Sequence, residues 1–145
     1  MELLSLYNKL NRIKGDVQMQ RRWVMLGSFM MLLSVAIGAF GAHALGPRIG
    51  EDHLAVYETG VRYHMIHAAG LLIIGLAAGQ WGASSKLQWA ARLLFAGIIL
   101  FSGSLYLLSI TNIRILGAIT PFGGVCFMGG WLMLMLTAAG LKKDS

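Results

Sequence analysis

Charge is scarce in this chain. Charged residues make up only 12% of it, twelve Lys or Arg against six Asp or Glu, while 57% is hydrophobic and the mean hydropathy is +0.67. A soluble domain carries about 25% charged residues, so this composition excludes one and points to lipid as the bulk solvent. Cysteine is nearly absent. Cys126 stands alone inside an apolar run, which excludes an internal disulfide and a cysteine-based zinc site and leaves a small packing residue. Acids are missing from the apolar runs; outside the terminal segments only Glu51, Asp52 and Glu58 occur, in one polar stretch. The chain has no paired-carboxylate site, no Ser-His-Asp order and no phosphate-binding glycine loop, so an enzyme is not the expectation. The net charge of +6 does not point to nucleic acid. Its basic residues flank the apolar runs, as anionic headgroups and the positive-inside rule require.

What the chain has in abundance is long apolar runs. Spans are expected at about residues 23–45, 62–79, 89–110 and 115–141, lengths that at about 1.5 Å per residue suit a hydrocarbon core of roughly 30 Å. A cleaved signal sequence is the rival reading of the first run, since Arg21-Arg22 precedes it and Ala42-His43-Ala44 resembles a cleavage site. Its length, and Gly27, Gly38 and Gly41 suited to close helix contact, favour a span. Ahead of it, residues 1–22 carry Leu3, Leu6, Tyr7, Leu10, Ile13 and Val17 at helical spacing among Lys9, Arg12, Lys14, Arg21 and Arg22. That pattern reads as a cationic interfacial helix or, equally, a frayed tail, with a break at Gly15-Asp16. Gly46-Pro47 is expected to stop the first span, and the polar stretch to Gly60 to form a second short amphipathic helix. The expected fold class is therefore an all-α integral membrane protein: one four-transmembrane-helix bundle over 23–141, short interfacial helices at the N-terminus and between spans one and two, and a tail at 142–145.

An even span count puts both termini on one side, and charge says which. Lys9, Arg12, Lys14, Arg21, Arg22, Lys86, Arg92, Lys142 and Lys143 fall on the terminal side, whereas Arg48, Arg62 and Arg114 share the other with Glu51, Asp52 and Glu58. Both termini are expected in the cytoplasm of a bacterial inner membrane protein.

Four stretches form a recognisable series: Gly38-Ala-Phe-Gly-Ala-His-Ala-Leu45; Tyr57-Glu-Thr-Gly-Val-Arg-Tyr-His-Met-Ile-His-Ala68; Phe101-Ser-Gly-Ser-Leu-Tyr-Leu-Leu108; and Leu116-Gly-Ala-Ile-Thr-Pro-Phe-Gly-Gly124, followed by Gly130-Trp131. In this order they resemble the bacterial membrane family called domain of unknown function 423, itself similar to a small eukaryotic transmembrane protein family. The resemblance covers roughly residues 19–141 and implies a four-helix inner-membrane protein, without an established activity or catalytic residue. The segment before Met19 lies outside it, and His64 departs from the polar residue, such as Gln, expected there.

The topology brings the end of span one, the start of span two, the end of span three and the start of span four to one leaflet. His43, Arg62, Tyr63, His64, His67, Ser102, Ser104, Tyr106, Thr111, Asn112 and Thr120 fall in that half. His64 and His67 stand at i and i+3, on one helix face. Ionisable groups inside a membrane are costly and raise a functional hypothesis with a named partner. Three alternatives remain open: the histidines hydrogen-bond to Tyr63, Tyr106, Ser102 or Ser104 and tie helices together; they handle a proton or ligand; or His43, His64 and His67, with a carboxylate such as Glu58, hold a transition metal. His43 and His67 are expected within roughly 10 Å, facing the bundle interior. Arg62 reads as a snorkelling anchor or as a group binding an anionic lipid or a quinone-like carbonyl. Ser102-Gly103-Ser104, Gly123-Gly124 and Gly129-Gly130 read as surfaces for close helix approach, and Pro121 as a kink that frees carbonyls in span four.

The leading expectation is a non-enzymatic scaffold or accessory protein, with membrane lipids as partners and a homo-oligomer left open. Its rivals are an outward-facing ion, lipid or small-molecule site built from His43, Arg62, His67 and Tyr106, and a histidine-based metal or redox accessory protein. No cofactor can be named.

Overall fold

The computed structural model describes residues 1–141; Lys142 and Lys143, assigned above to a cytoplasmic tail, lie outside that range. Four helical rods follow one another, α1 (Glu2–Ile49), α2 (Glu51–Trp81), α3 (Ser85–Thr111) and α4 (Arg114–Ala139), and each is long and apolar enough to cross a membrane. The all-α four-span architecture is thus the one the apolar runs imply. The rods are separated where the backbone leaves helical space. Gly50 (φ 80, ψ 164) and Gly82 (φ 84, ψ 153) take conformations that a side chain would strain, and Asn112 closes α3 in the left-handed region, its N–H bonded to the Leu108 carbonyl at 2.8 Å. Ser84 opens α3 by accepting the Leu87 N–H on its hydroxyl at 3.2 Å.

The two short interfacial helices expected beside the spans are helical but not separate. Residues 2–22 run without a break into α1, and residues 51–60 run into α2. Gly15 does not end the helix, because one interior glycine costs only about 1 kcal/mol and no proline or second glycine stands beside it. The neighbouring Asp16 caps the next turn of the bundle instead, its Oδ1 accepting the Ala83 N–H at 2.6 Å. Gly46-Pro47 does not stop α1 either; the stop is Gly50. Just before the proline, residues Gly41–Leu45 widen into a single π turn in which the Gly46 N–H reaches back to the Gly41 carbonyl. That widening relieves the clash between a helical proline ring and the carbonyl four residues earlier. A second π turn, Ile98–Ser102, lies in α3. Pro121 produces no interior kink, since a 3-10 turn over Arg114–Ala118 precedes it and it sits in the first turn of the α-helix Thr120–Ala139, where its missing N–H has no helical acceptor to lose.

α2 is the central rod, packed by α1 on one side and by α3 on another, while α4 packs on α3. Contact between α1 and α2 is backbone to backbone: a Cβ on Gly27 would lie 2.9 Å from the Leu72 amide nitrogen, and one on Gly75 2.9 Å from that of Val24. Small residues at such points permit the dispersion contact that holds helices together where lipid supplies no hydrophobic drive. Of the paired glycines in α4, Gly123 and Gly130 are buried with Phe127 between them, whereas Gly124 and Gly129 turn partly outward. Ala68, Leu71, Ile74, Ala78, Leu87, Ala90, Ala91 and Leu94 complete a fully covered core.

Candidate functional site

Antiparallel packing carries the polar residues of α2, α3 and α4 to one end of the bundle. Tyr57 is buried where α2 meets the π turn of α1, its hydroxyl donating to the Ile37 carbonyl at 2.9 Å. A Cβ on Gly41 would collide with the Tyr57 ring, so this glycine is what admits the tyrosine. The Tyr57 ring lies 5.0 Å from that of Tyr106 on α3, tilted by 47°. The Tyr106 hydroxyl in turn stands 3.2 Å from His64 Nδ1. Ser104 donates to the Phe101 carbonyl at 2.9 Å and lies 2.8 Å from the Thr120 hydroxyl. The Ser104 and Thr120 hydroxyls thus link α3 to α4 directly.

His67 takes a different path. Its Nδ1–H donates to the Tyr63 carbonyl one turn back at 2.6 Å, and its ring lies flat on Phe127 of α4, centroids 3.4 Å apart and planes within 10°. Tyr63 stacks on Phe101 at 4.4 Å. With Pro121, Met128 and Trp131 these rings line an outward-facing groove of about 570 Å³. The imidazole face is thus spent on an aromatic neighbour.

Two polar atoms in this region have no partner among the described residues: His64 Nε2 and Ser102 Oγ. They belong to side chains only 2% and 0% exposed. Gly60 of α2 faces Tyr106 of α3, a Cβ there meeting the ring at 2.9 Å. His64 lies one turn along α2 from Gly60, and Ser102 one turn back along α3 from Tyr106, so the two share a level and a face of contact. Gly38 faces Val61. One turn from that contact, Ser34 of α1 joins the same level, fully buried, with its hydroxyl on the Met31 carbonyl at 2.7 Å.

The expected cluster is therefore brought together in part. His64, His67, Tyr63, Ser102, Ser104, Tyr106 and Thr120 gather around the α2–α3–α4 contacts. His43 does not join them: it is exposed on the π turn of α1, and Arg62 is exposed on α2. Thr111 and Asn112 belong to the exposed α3–α4 turn. His43, His64 and His67 are not brought together as a ligand set: no three His, Cys, Asp or Glu side chains among the described residues come close enough to hold an ion. The physical reason is phase. Gly41 and Leu45 are the buried residues of that turn, and His43, two positions from each, points the other way. The interior-facing His43–His67 pair fails for the same reason. Sequence reading missed Tyr57, Phe127 and Ser34 as site residues. The signal for Tyr57 was a tyrosine three residues from the glycine of Tyr57-Glu-Thr-Gly60, assigned to a short interfacial helix and not to span two.

Comparison with known proteins agrees with the architecture. Residues 37–124 match the family model described as "Protein of unknown function (DUF423)". A UPF0382 membrane protein of Bacillus subtilis, YwdK, is 49% identical over 116 residues, covering 80% of this chain and 94% of the relative. A UPF0382 membrane protein of Staphylococcus haemolyticus is 48% identical over 115 residues, 79% of this chain and 93% of its own length. No solved structure matches the chain. The four motif stretches, the four-rod bundle and these relatives together make the chain a member of the DUF423 family of membrane proteins, a family of unknown function.

Proposed function

We propose that this protein is a non-enzymatic scaffold or accessory protein of the bacterial cytoplasmic membrane, with both termini in the cytoplasm and with intramembrane polar residues serving as joints between helices. One observation carries the reading: each sequential helix contact has its own polar link. Tyr57 joins α2 to α1, Tyr106 with His64 joins α3 to α2, and Thr120 with Ser104 joins α4 to α3. Interhelical bonds of this kind hold register in lipid at modest energies, on average about 0.6 kcal/mol each. The orientation rests on the basic residues flanking the Trp81–Ser85 turn and α1, against the acids of residues 51–58. Removing the links one at a time tests the reading. Tyr57→Phe, Tyr106→Phe and Thr120→Val should each lower thermal stability in detergent and leave whatever copurifies with the protein unchanged. Loss of a copurifying small molecule with stability intact would refute it.

A second reading, the handling of a small polar guest or ion, is favoured by the unpartnered His64 Nε2 and Ser102 Oγ. Buried polar atoms without partners are uncommon and call for a molecule that satisfies them. Of the His43, Arg62, His67 and Tyr106 site expected above, this reading keeps Tyr106 and replaces the rest with His64, Ser102 and Ser34. Ser102→Ala distinguishes the readings, because a hydroxyl with nothing bonded to it is removed at no loss, while one that holds a guest is not.

A further inference from the structure

At the opposite end of the bundle, α1 and the α2–α3 turn enclose a cleft of about 520 Å³ that none of the joints described above uses. Its walls carry Arg22 and Gln18 from α1, and Gln88, Trp89 and Arg92 from α3. Both guanidinium groups are held over indoles, Arg22 at 5.2 Å from the Trp23 ring and Arg92 at 5.3 Å from the Trp89 ring. An indole beneath an arginine limits its rotamers while leaving its N–H edge free. Gln88 is oriented by a buried donor: Trp23 Nε1 gives its proton to Gln88 Oε1 at 3.1 Å, which leaves the Gln88 amide N–H₂ to be offered elsewhere. The Ser85 and Lys86 amides, ahead of the first bonds within α3, add positive potential. Asp16, adjacent in sequence to the cleft-lining Gly15, has its Oδ1 on the Ala83 N–H. The cleft therefore presents donors and positive charge from two helices.

A second, apolar groove continues from it. Gln18 and Arg22 line both, and with Arg21 they head a shallow face of α1 that runs past Met25, Leu26 and Phe29 toward the hydrocarbon. Met25 and Phe29 are 60% and 56% exposed and stand one turn apart on one face. We propose that this composite surface binds one anionic phospholipid, its phosphate between Arg22, Arg92 and Gln88 and an acyl chain along Met25 and Phe29. The polar cleft supplies charge-assisted bonds to phosphate oxygens, and the adjoining groove selects a lipid over a free phosphate. Trp89, 54% exposed, presents its indole as a headgroup anchor would, while Trp23 is buried and holds Gln88. The inference goes beyond the scaffold reading and does not depend on it.

Native mass spectrometry of the full-length protein in a neutral sugar detergent tests it, with dioctanoyl phosphatidylglycerol, dioctanoyl phosphatidylcholine and glycerol phosphate as probes. The expected result is one retained phosphatidylglycerol, preferred over phosphatidylcholine by at least about tenfold, with glycerol phosphate alone bound far more weakly. Arg22→Gln with Arg92→Gln should abolish the preference, and Phe29→Ala should weaken both lipids alike. Arg48→Gln, at the other end of the bundle, should change nothing. Should the double variant fail to fold, Arg92→Lys serves, because it keeps the charge and loses the two-pronged contact, and at least a several-fold weaker preference is expected. Equal retention of the two lipids, or a preference that survives the arginine substitutions, would overturn the site. Glycerol phosphate binding as tightly as the lipid would overturn the lipid assignment.

Discussion

Gly123→Ala and Gly124→Ala make the same chemical change on adjacent residues of one helix, yet they should move stability in opposite directions. A Cβ on Gly123 would press into the Phe101 backbone, in contact with its amide nitrogen and only 2.7 Å from its Cα and Cβ. Carbon atoms in contact settle at about 3.5–4.0 Å, so α4 must withdraw from α3 by about 1 Å. Backbone cannot rotate away as a side chain can. Overpacking of this kind costs about 1–3 kcal/mol, against which the alanine returns about 1 kcal/mol of helix propensity. On Gly124 the added methyl meets only the Phe101 ring, at 3.9 and 4.0 Å, which is ordinary contact. There the propensity gain stands alone. Because propensity is common to both variants, their difference isolates the steric term, about 1–3 kcal/mol, or roughly fivefold to 150-fold in the folded-to-unfolded ratio. Unfolding in detergent with increasing dodecyl sulfate, followed by tryptophan fluorescence, reads that ratio. Coincident curves, or a Gly123→Ala protein more stable than Gly124→Ala, would show that α3 and α4 do not approach as described.

A double-mutant cycle on His64→Ala and Tyr106→Phe should return a coupling of about 0.5–1.5 kcal/mol from their 3.2 Å contact, and strictly additive effects would deny it. Gly50→Ala, at φ 80 and ψ 164 with open space around it, should destabilise by about 1–3 kcal/mol through backbone strain alone, read as a lower melting temperature. Reporter fusions after Ala83 and after Leu141 should both read cytoplasm while a tag near Gly50 is reached from outside; the reverse pattern would invert the orientation. Ser102→Ala should be neutral if the hydroxyl holds nothing, and should destabilise by about 1 kcal/mol or more if it holds a guest, measured by the same unfolding assay.

The four spans were legible because a bilayer demands long apolar runs, and composition alone reveals those. Where the rods end was less so. Gly46-Pro47 carries the usual signal of a helix stop, and only the preceding π turn, which no local pattern announces, lets the helix pass through it. The same turn fixes the phase of His43. Gly41 was identified as a packing residue and His43 as an inward-facing one, though two residues apart on a helix they cannot share a face. The pairing of His64 with Tyr106 was among the alternatives the sequence offered; the choice among them needed the register between α2 and α3, which is set by Gly60 receiving the Tyr106 ring. Aromatic contacts such as His67 on Phe127 depend on two helices distant in sequence and left no trace in either one.

Because α1 runs unbroken from Glu2 to Ile49, its first 14 residues or so form a rod of roughly 20 Å standing clear of the bundle, rigidly joined to a buried segment that packs on α2. Such a rod is a lever. A tilt of α1 by about 10° within its packing against Leu72 and Gly75 would sweep the far tip through roughly 6 Å, with no hinge to absorb it. Whatever touches Leu3, Leu6 or Tyr7 is therefore mechanically coupled to the contact between the first two spans.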